Sequence, residues 1–227
     1  RPSPRHVPAR ANLYALKDLG ADAVLAWAPG AAILHALAVG DLVVLTDLID
    51  LTCRREQTFF PDRPLGYLRQ FPVFCPALSA AVADALTAMK LVHHDRGVAA
   101  VCEGPRLETP AEVRWLASMG AGVVTHAFAP EVFLARELQM CYAAVCYAVQ
   151  YAETGSRHHP FTAGLFAESE EQTEQQRLAG VVAAIPQIAR RVAAACADEP
   201  RTCECPQPMA AKARAYNLPQ DWHAWFA

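Results

Sequence analysis

Hydrophobic and polar positions along the chain switch repeatedly between a helical period and short unbroken apolar runs. Ala9 to Leu19 (ARANLYALKDL) spaces its apolar residues as a helix does and stops at Gly20. Asp22 to Ala28 (DAVLAWA) is a short apolar run ahead of Pro29-Gly30, which predicts a buried strand and then a turn. Gly40-Asp41 opens a second buried strand, DLVVLTDLIDLT, and Arg54 to Phe74, rich in Pro and aromatic residues, predicts an ordered surface loop. Ala77 to Leu91 reads as an Ala-rich helix with Leu78, Val82 and Leu86 on one face. Gly97 to Cys102 predicts a strand. Thr109-Pro110-Ala111-Glu112 opens a helix, with Thr as N-cap, Pro in the first turn and an acid behind it, and this helix ends near Gly120. Ala121 to Thr125 predicts a strand, Pro130 to Leu138 a short helix, and Cys141 to Tyr151 a strand buried on both faces. Glu168 to Ala197 predicts a long helix, polar and Gln-rich at first and apolar later. Strands alternating with helices predict an α/β fold with a mostly parallel or mixed sheet, in one domain over 1–197 with a tail over 198–227.

Composition narrows the function classes. The chain has 227 residues, 53% of them hydrophobic, enough for a full core without staples. A net charge of −3, with Lys and Arg scattered, gives no basic footprint for nucleic acid. The apolar stretches are interrupted by Asp, Arg or Pro, so no membrane span is expected, and the polar start Arg1 to His6 does not read as a signal peptide. The expected location is cytoplasmic. Most of the eight cysteines lie in apolar runs such as Met140 to Cys146, where reduced cysteine packs as a small hydrophobe. Cys203-Glu204-Cys205 lies instead in a polar, proline-containing tail, which leaves a redox or metal role open. No second Cys or His pair at zinc spacing completes a site, so no metal is expected.

Gly104-Pro105 makes a tight turn at a strand end, where open α/β sheets place ligands, and Glu108 follows three residues after Pro105. From the residues alone, Glu108 reads equally as a helix N-terminal acid favoured by the macrodipole. Glu103 to Glu112 (EGPRLETPAE) resembles the EGPRxET-type motif of trimeric nucleoside phosphorylases. Three further blocks agree with that family in order: Ala129-Pro130-Glu131-Val132 with Leu134 to Leu138, Ala11 to Leu16 (ANLYAL), and Gly40-Asp41 through Phe59-Phe60. The chain thus resembles the purine nucleoside and methylthioadenosine phosphorylases from about residue 3 to about residue 155.

The resemblance implies a central mixed sheet, a distorted barrel flanked by helices. It also implies a transferase of purine salvage that cleaves a purine nucleoside, including 5′-methylthioadenosine or 5′-methylthioinosine, with phosphate. The expected products are free purine and a sugar 1-phosphate. No cofactor is expected beyond inorganic phosphate as co-substrate, and the expected assembly is a homotrimer or homohexamer. Residue by residue, the resemblance puts Glu108 on the N1–H of a 6-oxopurine, Leu107 in the base pocket and Gln150 as hydrogen-bond donor at purine N7. There a donor makes the base a better leaving group. His126 and Ala127 stand where relatives carry a Met-Ser/Thr pair against ribose and phosphate, and His158 stands near the ribose 5′ position. The Ala28 amide stands in a turn that helps hold phosphate. Each position has a plainer reading: Leu107 as core, Gln150 as a polar strand end, His126 as a satisfied buried histidine, and His158 with His159 as solvated loop residues.

The resemblance departs at the phosphate site. Relatives carry a glycine-rich phosphate loop and an Arg-His-Gly segment upstream of the matched region, and Arg5 and His6 do not align with that pair. Trp27 stands where relatives have a small polar residue, and Ala127 lacks a hydroxyl. The expected alternative is therefore a non-catalytic homologue acting as a nucleoside-binding or assembly subunit.

Overall fold

The computed structural model describes residues 3–153, 172–198 and 202–226. Its centre is a closed five-stranded barrel in the order β1-β4-β3-β2-β5, with β5 returning to β1. The strands are β1 (Ala23–Ala32), β2 (Leu42–Asp50), β3 (His93–Val101), β4 (Val123–Thr125) and β5 (Cys141–Tyr151). β1/β5, β2/β3 and β3/β4 are parallel, whereas β1/β4 and β2/β5 are antiparallel. Closure leaves the barrel without a free edge. The helices are α1 (Ala9–Asp18), α2 (Pro76–Ala88), α3 (Pro110–Ser118), α4 (Glu131–Glu137), α5 (Gln172–Asp198) and α6 (Gln207–Ala215). This is the α/β fold with a mixed sheet that the pattern predicts, closed into the helix-flanked barrel that the resemblance implies.

The apolar runs become strands because both faces are covered. Leu42 to Leu45 and Cys141 to Cys146 are buried without interruption. Outside the barrel, Leu78, Val82 and Leu86 of α2 meet Val181, Ile188 and Val192 of α5 above Leu42, Val44 and Val145. On the other side α1 and α4 close over the main core through Leu13, Val132, Leu134 and Ala135.

Four features differ from the sequence reading. No turn breaks β1 at Pro29-Gly30; the strand runs on to Ala32. At Pro29 only β5 pairs with β1, since β4 joins at Ala31, so a residue without an amide proton fits there. A Cβ at Gly30 would stand 2.5 Å from Cys146 Sγ and 2.8 Å from the Val124 carbonyl, so the glycine admits the close approach of three strands. β3 begins at His93, four residues before Gly97, because its polar half, His93 to Arg96, hides the strand from a hydrophobicity pattern. The tail holds a helix, α6, whose flanking prolines mask it. Finally, α5 is long and apolar enough over Gln172–Ala197 to cross a membrane by length and composition, contrary to the expectation from its interruptions. One stripe of it packs on α2.

The described tail is docked on the barrel's flank. Met209 and Trp225 are buried in the main core, and Phe226 stacks on Phe60 at 5.4 Å between ring centroids. The terminal turn Trp222–Phe226 therefore packs on the chain's own core.

Candidate active site

β3 and β4 run parallel and end side by side, Val101 opposite Thr125. Their carboxyl-terminal loops therefore leave the barrel together, as Cys102 to Thr109 and His126 to Pro130. A third loop, Thr52 to Phe60, follows β2 on the far side of β3. Arg55 locks the three loops into one surface. Its guanidinium donates to the carbonyls of Cys102 (3.1 Å), Glu103 (3.0 Å), His126 (2.9 Å) and Ala129 (2.6 Å). Glu103 completes the lock by accepting from the amides of Cys53 (2.8 Å) and Arg54 (3.2 Å) and from Arg55 Nε (3.3 Å). Burial alone would raise the Glu103 carboxyl; these donors outweigh it and hold the group below its ordinary value. Glu137 of α4 anchors the far end of the loop, accepting from Thr58 Oγ1 (2.5 Å) and the Phe59 amide (2.7 Å).

Within this frame Glu108 and His126 meet, with Glu108 Oε1 and His126 Nε2 3.2 Å apart. The Glu108 side chain is only 9% exposed. Burial pushes its carboxyl up, but His126, its own amide and the Cys102 thiol pull harder, and it lies below its ordinary value. Cys102, desolvated and facing the Glu108 charge, is pushed up to about 12. Glu108 directly precedes the N-cap of α3, as the helix N-terminal reading has it, but makes none of the capping hydrogen bonds. Thr109 caps α3, and Glu112 reaches back to the Thr109 amide at 2.8 Å while Arg106 grips Glu112 through both nitrogens. With the cap filled, Glu108 is released to face His126.

Two clefts flank the pair. The larger, about 420 Å³, is lined by Arg5, Arg10, Arg54, Arg55, Thr125, His126 and Ala127, with Pro29 across from Thr125. Thr125 Oγ1 donates to the Pro29 carbonyl at 2.8 Å and closes that wall. The smaller, about 290 Å³, is lined by Cys102, Gly104, Glu108 and Trp115. The larger cleft also holds Glu56, paired to Arg10, and Glu131 but keeps an excess of arginine, and the smaller sets Glu103, Glu108 and Glu112 against Arg106. His126 thus belongs to the net cationic cleft and Glu108 to the net acidic one, with their contact as the partition. Phe128, buried beneath the larger cleft, holds φ at +76°, a conformation costing roughly 1–3 kcal/mol for a bulky residue.

The structure therefore brings together Glu108, His126 and Ala127, and not the other residues singled out from sequence. Ala28 is buried inside β1 opposite Cys146, so its amide lies in a strand and not in a turn. Leu107 is 41% exposed and lines neither cleft. Gln150 is half-buried on β5; Ala31 separates it from Val124, placing it two strands from the end of β4. His158 lies outside the described residues. Sequence reasoning gave no site role to Arg55, Glu103, Arg10 or Arg54, and it set Arg5 aside because it does not align with the family's upstream Arg-His pair. Only the density of arginine at 54–55 and at 5–10, beside acids at 56 and 103, hinted at them.

A model of the phosphorylase superfamily matches residues 4–186. The 6-oxopurine nucleoside phosphorylase of Pyrococcus furiosus is 32% identical over 202 residues, spanning 86% of this chain and 76% of that protein. The S-methyl-5′-thioadenosine phosphorylase of Pyrococcus horikoshii is 32% identical over 199 residues, spanning 88% and 76%. The structure of methylthioadenosine phosphorylase from Schistosoma mansoni in complex with tubercidin superposes with a TM-score of 0.80 at 25% identity. The superposition covers 96% of this chain and 79% of that one.

Proposed function

We propose roles for the site residues of a chain that belongs to the purine nucleoside and methylthioadenosine phosphorylase family. The activity is phosphorolysis of a purine nucleoside: a phosphate oxygen bonds to C1′ as the glycosidic bond to N9 breaks, giving free purine and a sugar 1-phosphate. No comparison favours a non-catalytic role. Such a transition state is oxocarbenium-like at the sugar and anionic at the base, so catalysis is positioning plus charge stabilisation.

The carrying observation is the Glu108–His126 contact set between an arginine-lined cleft and an acid-lined one. The cationic cleft suits the phosphate dianion, with Arg5 and Arg54 as donors in place of the Ala28 amide. His126 borders the sugar. Glu108 accepts the N1–H of a 6-oxopurine by exchanging its His126 partner for the base. Adenine has no N1–H to offer, so the preferred substrate is a 6-oxopurine nucleoside, as for the 6-oxopurine nucleoside phosphorylase of Pyrococcus furiosus. Inorganic phosphate is the sole co-substrate, the setting is cytoplasmic purine salvage, and the assembly is a homotrimer. The exposed apolar side chains Leu34, Trp115 and Met119 support an assembly contact.

Inosine, methylthioinosine and methylthioadenosine, each incubated with and without phosphate, test the reading by chromatography of released base. Release from inosine or methylthioinosine that requires phosphate is expected. Glu108→Ala lowers kcat/KM for these two substrates by roughly 10²-fold, with a smaller effect on methylthioadenosine. Equal losses on all three would remove Glu108 from base recognition. Light scattering at three chain masses is expected; a monomer overturns the assembly.

A further inference from the structure

Four of the cysteines that the catalytic reading does not use converge on one point. Cys75 is the N-cap of α2, Cys141 opens β5, and Cys203 and Cys205 precede α6. Their four sulfur atoms all lie within 4.8 Å of one another, two of the residues being buried and two half-buried. A tetrahedral metal with sulfur at about 2.3 Å sets its ligands roughly 3.8 Å apart, inside that span. Cys141 and Cys203 approach to 3.2 Å between sulfurs, well outside the ~2.05 Å of a disulfide.

A second observation comes from Arg136 of α4. The residue is 8% exposed, and its Nε has no hydrogen-bond partner among the described residues. Its Nη2 donates to the carbonyls of Pro72 and Val73, and its side chain lines the same small cavity as Cys75 and Cys205. Among the described residues no carboxylate forms an ion pair with it, although Glu204 lines a neighbouring cavity, and a buried guanidinium calls for a compensating anion. Four thiolates around a divalent ion carry a net double negative charge and supply one; four neutral thiols do not.

We propose that Cys75, Cys141, Cys203 and Cys205 form a closed tetrathiolate site for zinc. All-sulfur tetrahedral donors select zinc or iron among common metals, and four protein ligands leave no open position for chemistry, so the role is structural. The ion would tie the tail to the start of α2 and the start of β5, complementing the aromatic packing of Phe226 on Phe59 and Phe60. No pair at zinc spacing completes the site in sequence because its other two ligands come singly from distant segments. This inference does not depend on the proposed function.

The test uses the full chain purified under reducing, chelator-free conditions. Elemental analysis is expected to give one zinc per chain. Replacement by Co²⁺ is expected to give the intense visible d–d bands and sulfur-to-cobalt charge transfer of a tetrahedral thiolate. The paired variant Cys203→Ser, Cys205→Ser loses the metal, whereas Cys102→Ser keeps it. The cobalt spectrum is read on the unaltered chain, so a variant that fails to fold leaves the question decided. Reduced chain that binds neither Zn²⁺ nor Co²⁺ at one equivalent overturns the proposal. So does an intact mass showing disulfides among these four residues in metal-free protein as isolated.

Discussion

At Gly104 the backbone turns at φ +63°, and a Cβ built there would stand 2.9 Å from His126 Nδ1. The glycine therefore serves two needs: a left-handed turn and room for the imidazole that holds Glu108. Gly104→Ala is expected to cost about 1–2 kcal/mol in backbone strain and to displace His126. Thermal unfolding measures the first effect and kcat/KM the second; full activity with a lowered melting temperature would show that His126 tolerates the shift. Glu108 and His126 were each legible as single positions. Their mutual contact was not, because the two lie 18 positions apart, with all of α3 and β4 between them deciding whether the two loops meet.

Among the elements, the loop after β2 matters most, since it has no regular structure beyond a short helical turn at Pro64–Gly66 yet supports the site. Arg55 satisfies four carbonyls from two other loops. Arg55→Ala leaves acceptors unpaired in a half-buried setting, each worth about 1–3 kcal/mol if no water replaces the donor. Loss of phosphorolysis together with faster amide exchange at 102–103 and 126–129 is the expected signature. Exchange unchanged from the unaltered chain would reduce Arg55 to a surface residue. The terminal turn Trp222–Phe226 is tied to α1 by His223, whose ring contacts Asp18 (2.9 Å) and Asp221 (2.7 Å). These two carboxylates raise the His223 value above its ordinary 6.5. Its contribution is complete below 6.5 and is lost as pH rises through the higher folded value. Tail amides are therefore expected to exchange faster, beyond the intrinsic pH effect, as pH goes from about 6 to about 9. His223→Gln removes that dependence.

Across the whole molecule, the barrel is one unit with its tail. Trp225 is 4% exposed, donates to the Pro219 carbonyl at 2.8 Å, and receives Arg63 on its own carbonyl at 2.8 Å. Trp225→Ala is expected to destabilise the whole barrel by about 3–5 kcal/mol, read as a single cooperative shift in denaturant. A separate early transition, with the main one unmoved, would mean that the tail folds on its own. The order of elements from α1 to α5, the apolar runs of β2 and β5, the α3 cap and the four family blocks were legible in sequence. They rest on local periodicity or on near-neighbour hydrogen bonds, which a chain carries wherever it is placed. Pairing β1 to both β4 and β5, joining the two clefts at Glu108 and His126, and gathering Cys75, Cys141, Cys203 and Cys205 were decided by tertiary structure alone. Closing a barrel brings strand ends and remote side chains together at distances that no spacing along the chain encodes.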